Sequence, residues 1–207
     1  MRLNLPNGYI SSSQITQWRY SRQRYIDKYI WQITPPPRPE MLYGKQFADW
    51  LEHGWDDAPE ESQKMLEKIK KLPVVEYKIE ESFSTEAGAY DFLGFMDGYH
   101  PKTHAILEVK TGRTPWDRER ADKHLQTRLY AAIIYKRHGI LPKVTITWVP
   151  THQVDNQIVP TGELFNFPVT MTVPKILTAL KEMETTALEI HEWYTAYQKT
   201  ANEVLAV

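Results

Sequence analysis

Two carboxylates and a lysine carry the clearest chemistry in the chain: Asp97, and then Glu108-Val109-Lys110. Glu108 and Lys110 are two apart, so on a strand both side chains leave the same face while Leu107 and Val109 leave the other. Carboxylates brought together repel, and a hard divalent cation resolves that repulsion. Oxygen ligands with room for water and phosphate suit magnesium or manganese. A lysine beside such an ion orients an attacking water or stabilises charge on a five-coordinate phosphorus. Acting as a proton acceptor would need a pKa that spacing alone does not give. Thr111-Gly112-Arg113 follows at once, a turn that offers backbone N–H groups and a guanidinium to a phosphate. Further on, Gln126 and Tyr130 sit one helical turn apart, with Arg137 along roughly the same side. Between positions 110 and 137 there are eight Lys or Arg and three acids, whereas positions 180–207 hold two bases and five acids. That segregation, in a chain of net charge -1, is the electrostatic footprint expected for a polyanion.

The elements that must position these residues can be read from periodicity. Val75, Tyr77 and Ile79 alternate with charges as in a half-buried strand, and Tyr90–Asp97 and Ala105–Lys110 read as second and third strands. Ser84–Gly88 is a turn, and a loop with Gly98 and Pro101 returns Glu108 beside Asp97. Thr114-Pro115 predicts the start of one long helix with Thr114 as N-cap, ending at Gly139. Lys143–Val149 is a further strand and Gln157–Val169 further extended chain. Upstream, helices are predicted over about 11–31, 43–53 and 60–71, with Pro35-Pro36-Pro37 as a stiff spacer. A final helix begins near Thr172 and Pro174; its apolar positions fit packing on its own domain better than a dimer seam. The result is a single αβββαβ-type domain over 1–207, in three parts: helical 1–72, catalytic sheet and helix 73–170, and C-terminal helix 171–207.

Composition closes several routes. With no cysteine, disulfides, thiolate zinc sites, iron–sulfur clusters and cysteine nucleophiles are excluded. No apolar run of membrane-spanning length and no signal-peptide core is present, so a cytoplasmic, membrane-free protein is expected. His100, His104 and His124 match no zinc spacing and read as surface residues. Trp18, Arg19, Tyr20, Arg22 and Tyr25 interleave rings with bases. They either stack and clamp a single strand or simply pack with the bases solvated.

Asp97 … Glu108-x-Lys110 followed by Gln126-x-x-x-Tyr130 resembles the PD-(D/E)xK nuclease superfamily, in its RecB-like branch of phage and CRISPR-associated exonucleases. Ile10-Ser11-Ser12-Ser13-Gln14-Ile15 resembles the branch's N-terminal helix start, and Gly44 to Glu52 its GxxxHxxxE helix. The resemblance touches about positions 10–135. It implies a restriction-endonuclease-like αβββαβ core, of class α/β with a mixed central sheet and added terminal helices. It also implies hydrolysis of DNA phosphodiesters with Mg2+ or Mn2+, by an exonuclease acting on single strands or free ends in recombination, repair or replication. Asp97 and Glu108 would be metal ligands together with the Val109 carbonyl, and Lys110 the catalytic lysine. Gln126 and Tyr130 would organise the site and the DNA, with Thr111, Arg113, Arg137, Arg19 and Arg22 as further DNA contacts. A recombination or single-strand-binding protein is the implied partner class.

Two departures matter. Ala48 stands where the branch often has a metal-binding histidine, and Glu52, one turn later, is the candidate to line the metal in its place. Ser21 lies where cluster-bearing members carry a cysteine, which makes this a cluster-free form. A DNA-binding module without catalysis on the same fold, and an interaction subunit joined through the last helix, are the rival readings.

Overall fold

The computed structural model describes residues 1–205; positions 206 and 207, the end of the predicted C-terminal part, lie outside the described residues. In chain order the elements are β1 (Tyr9–Ile10), α1 (Ser12–Tyr20), α2 (Arg22–Tyr29), α3 (Pro39–His53), α4 (Glu60–Lys68), β2 (Val74–Ser84) and β3 (Ala89–His100). Then come β4 (Ala105–Gly112), α5 (Arg118–Asp122), α6 (Leu125–His138), β5 (Val144–Val154), β6 (Gln157–Pro160), β7 (Phe165–Val169) and α7 (Val173–Leu205). Seven strands join in one mixed sheet, so the α/β class with terminal helices holds. Contacts group the chain into two compact units, one of residues 1–35, 78–94 and 174 onward, the other Pro36–Tyr77 with Phe95–Val173.

In the second unit β4 is the central strand. It pairs antiparallel with the end of β3 (Gly98↔Leu107, Tyr99↔Ile106) and parallel with β5 from Ile106↔Val144 to Gly112↔Pro150. β5 in turn pairs antiparallel with both β6 and β7. The parallel pairing of β4 and β5 requires a crossover, which α5 and α6 supply. Leu107 and Val149 join Tyr43, Phe47, Trp50 and Leu51 of α3 and Met65 and Leu66 of α4 in one apolar cluster. One face of β4 is thereby fixed against α3, and the alternation leaves Glu108 and Lys110 on the other.

In the first unit β1 runs parallel to the start of β3 (Tyr9↔Asp91, Ile10↔Phe92). Ile176, Ala179, Met183, Ala187 and Ile190 of α7 are buried, so its apolar stripe is taken up inside the unit, as the packed-helix reading expects.

Several boundaries differ from the periodicity reading. The predicted helix over 11–31 is two helices. Ser21 is extended (φ -162°, ψ 107°), ends α1 and caps α2 through its side chain, which accepts from the Arg24 N–H. The helix predicted from Thr114 is likewise two. Asp117, not Thr114, caps α5, its Oδ1 accepting from the Arg120 N–H at 2.7 Å, and α6 starts afresh after His124. Apolar spacing ran through both breaks because a capped turn of one or two residues barely shifts the phase. α3 begins at Pro39, ahead of the predicted start, because proline is favoured in a helix's first turn. The two-residue β1 carries too little pattern to be seen.

Candidate active site

β4 delivers the proposed catalytic pair. Glu108 is fully buried, and its Oε1 accepts from Lys110 Nζ at 2.6 Å. Asp97, near the end of β3, turns its Oδ2 to the Val109 N–H at 2.7 Å, so the three residues meet as their spacing predicts. The same ammonium donates to Gln126 Oε1 at 3.1 Å, and Gln126 Nε2 donates to the Tyr130 hydroxyl at 2.9 Å. That hydroxyl donates to the Phe95 carbonyl at 2.6 Å and accepts from the Phe95 N–H at 3.1 Å. The Gln–Tyr pair thus ties α6 to β3 and gives the lysine a second acceptor besides Glu108.

A cavity of about 560 Å³ opens over this group, lined by Asp97, Glu108, Lys110 and Gln126 and walled by Gly44, Ala48 and Leu51 of α3. Gly44 gives α3 a close approach to β4: a Cβ there would stand 2.9 Å from Thr111 Oγ1, so the threonine side chain would have to shift.

The electrostatics are unrelieved. Burial pushes Glu108 up to about 8, with Asp97 adding to the rise and Lys110 opposing it. Burial also raises Asp97, against the pull of Lys110 and the Val109 N–H. Lys110 stays above its ordinary value: burial alone would lower it, but Glu108 and Asp97 outweigh that. Glu108 Oε2 is buried and has no hydrogen-bond partner, a costly condition for a carboxylate. Two desolvated carboxyls that line one cavity, one of them with an orphaned oxygen, fit a hard divalent cation that keeps several waters. Among the described residues no three His, Asp or Glu side chains converge closely enough to hold a cation, so backbone oxygen and water would complete the shell.

Glu52 is placed differently. Its carboxyl lies 3.7 Å from His53 Nδ1 and acts on the pKa of Glu76, and it is not among the residues that line the cavity. Glu76 is one of the charges that alternate with Val75, Tyr77 and Ile79. It adopts φ 49°, and burial, Glu52 and Asp97 together raise its pKa. No sequence signal marks it, since the pairing depends on where α3 lies. Thr111 lines the cavity, whereas Arg113 does not and is ion-paired with Glu40, which does. Arg137, eleven residues beyond Gln126 and so about 16 Å along the helix, lies beside Tyr99. Arg19 and Arg22 belong to the first unit, where they pair with Glu182 and Glu189 of α7, and Trp18 Nε1 also donates to Glu189, at 2.8 Å. His124, expected at the surface, is half-buried edge-on to Trp116. Burial, followed by Lys110 and two arginines, lowers it to about 3, which keeps it neutral.

These features define a mixed α/β fold that carries a cluster of two carboxyls and one lysine. A scan against protein-family models matches none, and a search of curated proteins returns none. Among solved structures, the chain is similar to a protein from Eubacterium rectale described provisionally as an exonuclease. The TM-score is 0.58 at 13% identity, over 89% of this chain and 82% of that one. It is also similar to a protein named SSO0001, with TM-score 0.47 at 13% identity, over 87% and 76% of the two chains. The first likeness carries the fold.

Proposed function

We propose that the protein is a metal-dependent deoxyribonuclease of the PD-(D/E)xK, RecB-like kind. In this reading it is an exonuclease that hydrolyses phosphodiester bonds of single-stranded DNA or free DNA ends, in recombination, repair or replication, as one nuclease domain over 1–207. The observation that carries the reading is the orphaned, buried Oε2 of Glu108 beside Asp97, with Lys110 bonded to the other oxygen. Asp97, Glu108 and the Val109 carbonyl would hold Mg2+ or Mn2+, which when bound supplies Lewis-acid charge at the scissile phosphate. Lys110, kept protonated by its two carboxylates, serves to orient the water and to stabilise charge at phosphorus, rather than to accept a proton. Gln126 fixes the ammonium, and Tyr130 fixes Gln126. The fold of the Eubacterium rectale protein supports the same reading.

The test is to incubate end-labelled single- and double-stranded DNA with Mg2+, Mn2+ or EDTA, alongside Lys110→Ala. Metal-dependent cutting is expected in the parent, and a fall of at least ~100-fold in the variant. DNA retained by the parent with no cutting under any metal would instead select the binding-module reading.

A further inference from the structure

A second cavity, of about 610 Å³, adjoins the catalytic one and shares Glu40, Met41 and Thr111 with it. Its walls come from the start of α3 and from the segment joining β4 to α5, and they bring together Arg38, Arg113 and Arg120. Gly112, at φ 146°, makes the turn that sends the chain out of β4 and around this cavity, a conformation that favours glycine. Arg120 is set in place rather than left free. Its guanidinium lies 4.3 Å from the Trp116 ring centroid, and Nη1 donates to the carbonyls of Thr114 (3.3 Å) and Pro115 (2.9 Å). Its Nε and Nη2 donate to nothing among the described residues. The Arg38 backbone carbonyl accepts from the Met41 and Leu42 N–H groups, while its guanidinium makes no hydrogen bond or ion pair among the described residues and helps to lower the pKa of Glu40. The one acid in the lining is Glu40, and it is bound to Arg113.

We propose that this cavity holds the backbone phosphates of the nucleic acid strand next to the bond being cut. Arg38, Arg113 and Arg120 contact the phosphates, and Glu40 competes for Arg113 until the strand displaces it. The proposal rests on the nuclease reading, since continuity with the catalytic cavity is what makes a polynucleotide the ligand. Arginines whose free N–H groups face one space suit phosphate oxygens. With Arg120 lying over one face of Trp116, the charged groups that the cavity offers suit the backbone phosphates.

The experiment measures binding of fluorescein-labelled oligothymidylate and oligouridylate by anisotropy, in EDTA and across a salt series, for the parent, Arg38→Gln, Arg120→Gln and Glu40→Gln. Each arginine variant should bind ~3–10-fold more weakly, with the salt slope reduced by about 0.7 per lost phosphate contact. Glu40→Gln should bind several-fold more tightly, a gain that misfolding cannot produce. Equal effects on both oligomers are expected of phosphate contacts, and an effect confined to one would overturn the assignment. Three variants that bind like the parent, with its salt slope, would also overturn it, and metal-dependent cutting by the parent would then leave the nuclease reading intact. Altered binding in the variants of a protein that never cuts would do the reverse.

Discussion

At the scale of single residues, the site is held in a state that water would not tolerate. Glu108 keeps its proton up to about 8 because burial disfavours the anion, whereas an unfolded chain releases it near 4.5. Between those values the folded state binds the extra proton, so stability falls as pH rises through that window. Glu108→Gln removes this dependence and keeps an acceptor for Lys110. In EDTA the variant should be more stable than the parent by about 2 kcal/mol at pH 8, near 4–8 °C in Tm, and the gap should shrink toward pH 5. A gap that stays constant with pH, followed by thermal melts, would place the proton elsewhere. Glu108 and Lys110 were legible in the sequence because a two-residue spacing on a strand fixes a common face whatever surrounds it. Glu40 and Glu76 were not, because each finds its partner only after α3 has been placed against the sheet.

At the scale of elements, close packing of α3 on β4 decides where the site can be. Tyr43, Phe47, Trp50 and Leu51 could be read as apolar from their spacing, but the need for Gly44 was hidden. Its reason is Thr111 Oγ1, a residue 67 positions away. An alanine in a helix ordinarily stabilises by up to about 1 kcal/mol relative to glycine. Here Gly44→Ala should instead destabilise, because Thr111 must move and it lines both cavities. In the Thr111→Ala background the same change should be neutral or stabilising. Denaturant unfolding of the four proteins in that cycle should give a coupling of about 1 kcal/mol or more. Additive effects would mean that the helix does not press on the strand. The helix breaks at Ser21 and before α6 escaped the periodicity for a different reason. A cap works through one side chain and one N–H, and leaves the apolar phase on either side almost unchanged.

At the scale of the whole molecule, the basic and acidic stretches seen in the sequence fall in different compact units. The Lys110–Arg137 stretch belongs to the unit built on β4, and α7 from Pro174 onward belongs to the other. In the first unit Arg19 and Arg22 pair with Glu182 and Glu189, while the second keeps the Arg38 guanidinium and most of Arg120's donors available. Stability should therefore respond to a cation through the second unit, where Asp97 and Glu108 hold carboxyls raised by burial. A ligand that binds only the folded state adds RT ln(1 + [L]/Kd), and here it must first displace the Glu108 proton. Millimolar Mn2+ or Ca2+ should raise the melting temperature of the parent at pH 8.5 by several degrees. The rise should fade as the pH drops to 6, because below the Glu108 pKa each unit costs up to about tenfold in apparent metal affinity. Asp97→Asn should lose the rise at every pH, while Glu52→Gln should keep it, since Glu52 does not line the cavity. A shift abolished by Glu52→Gln and untouched by Asp97→Asn would relocate the cation to the α3–β2 pair and remove the basis for the catalytic assignment.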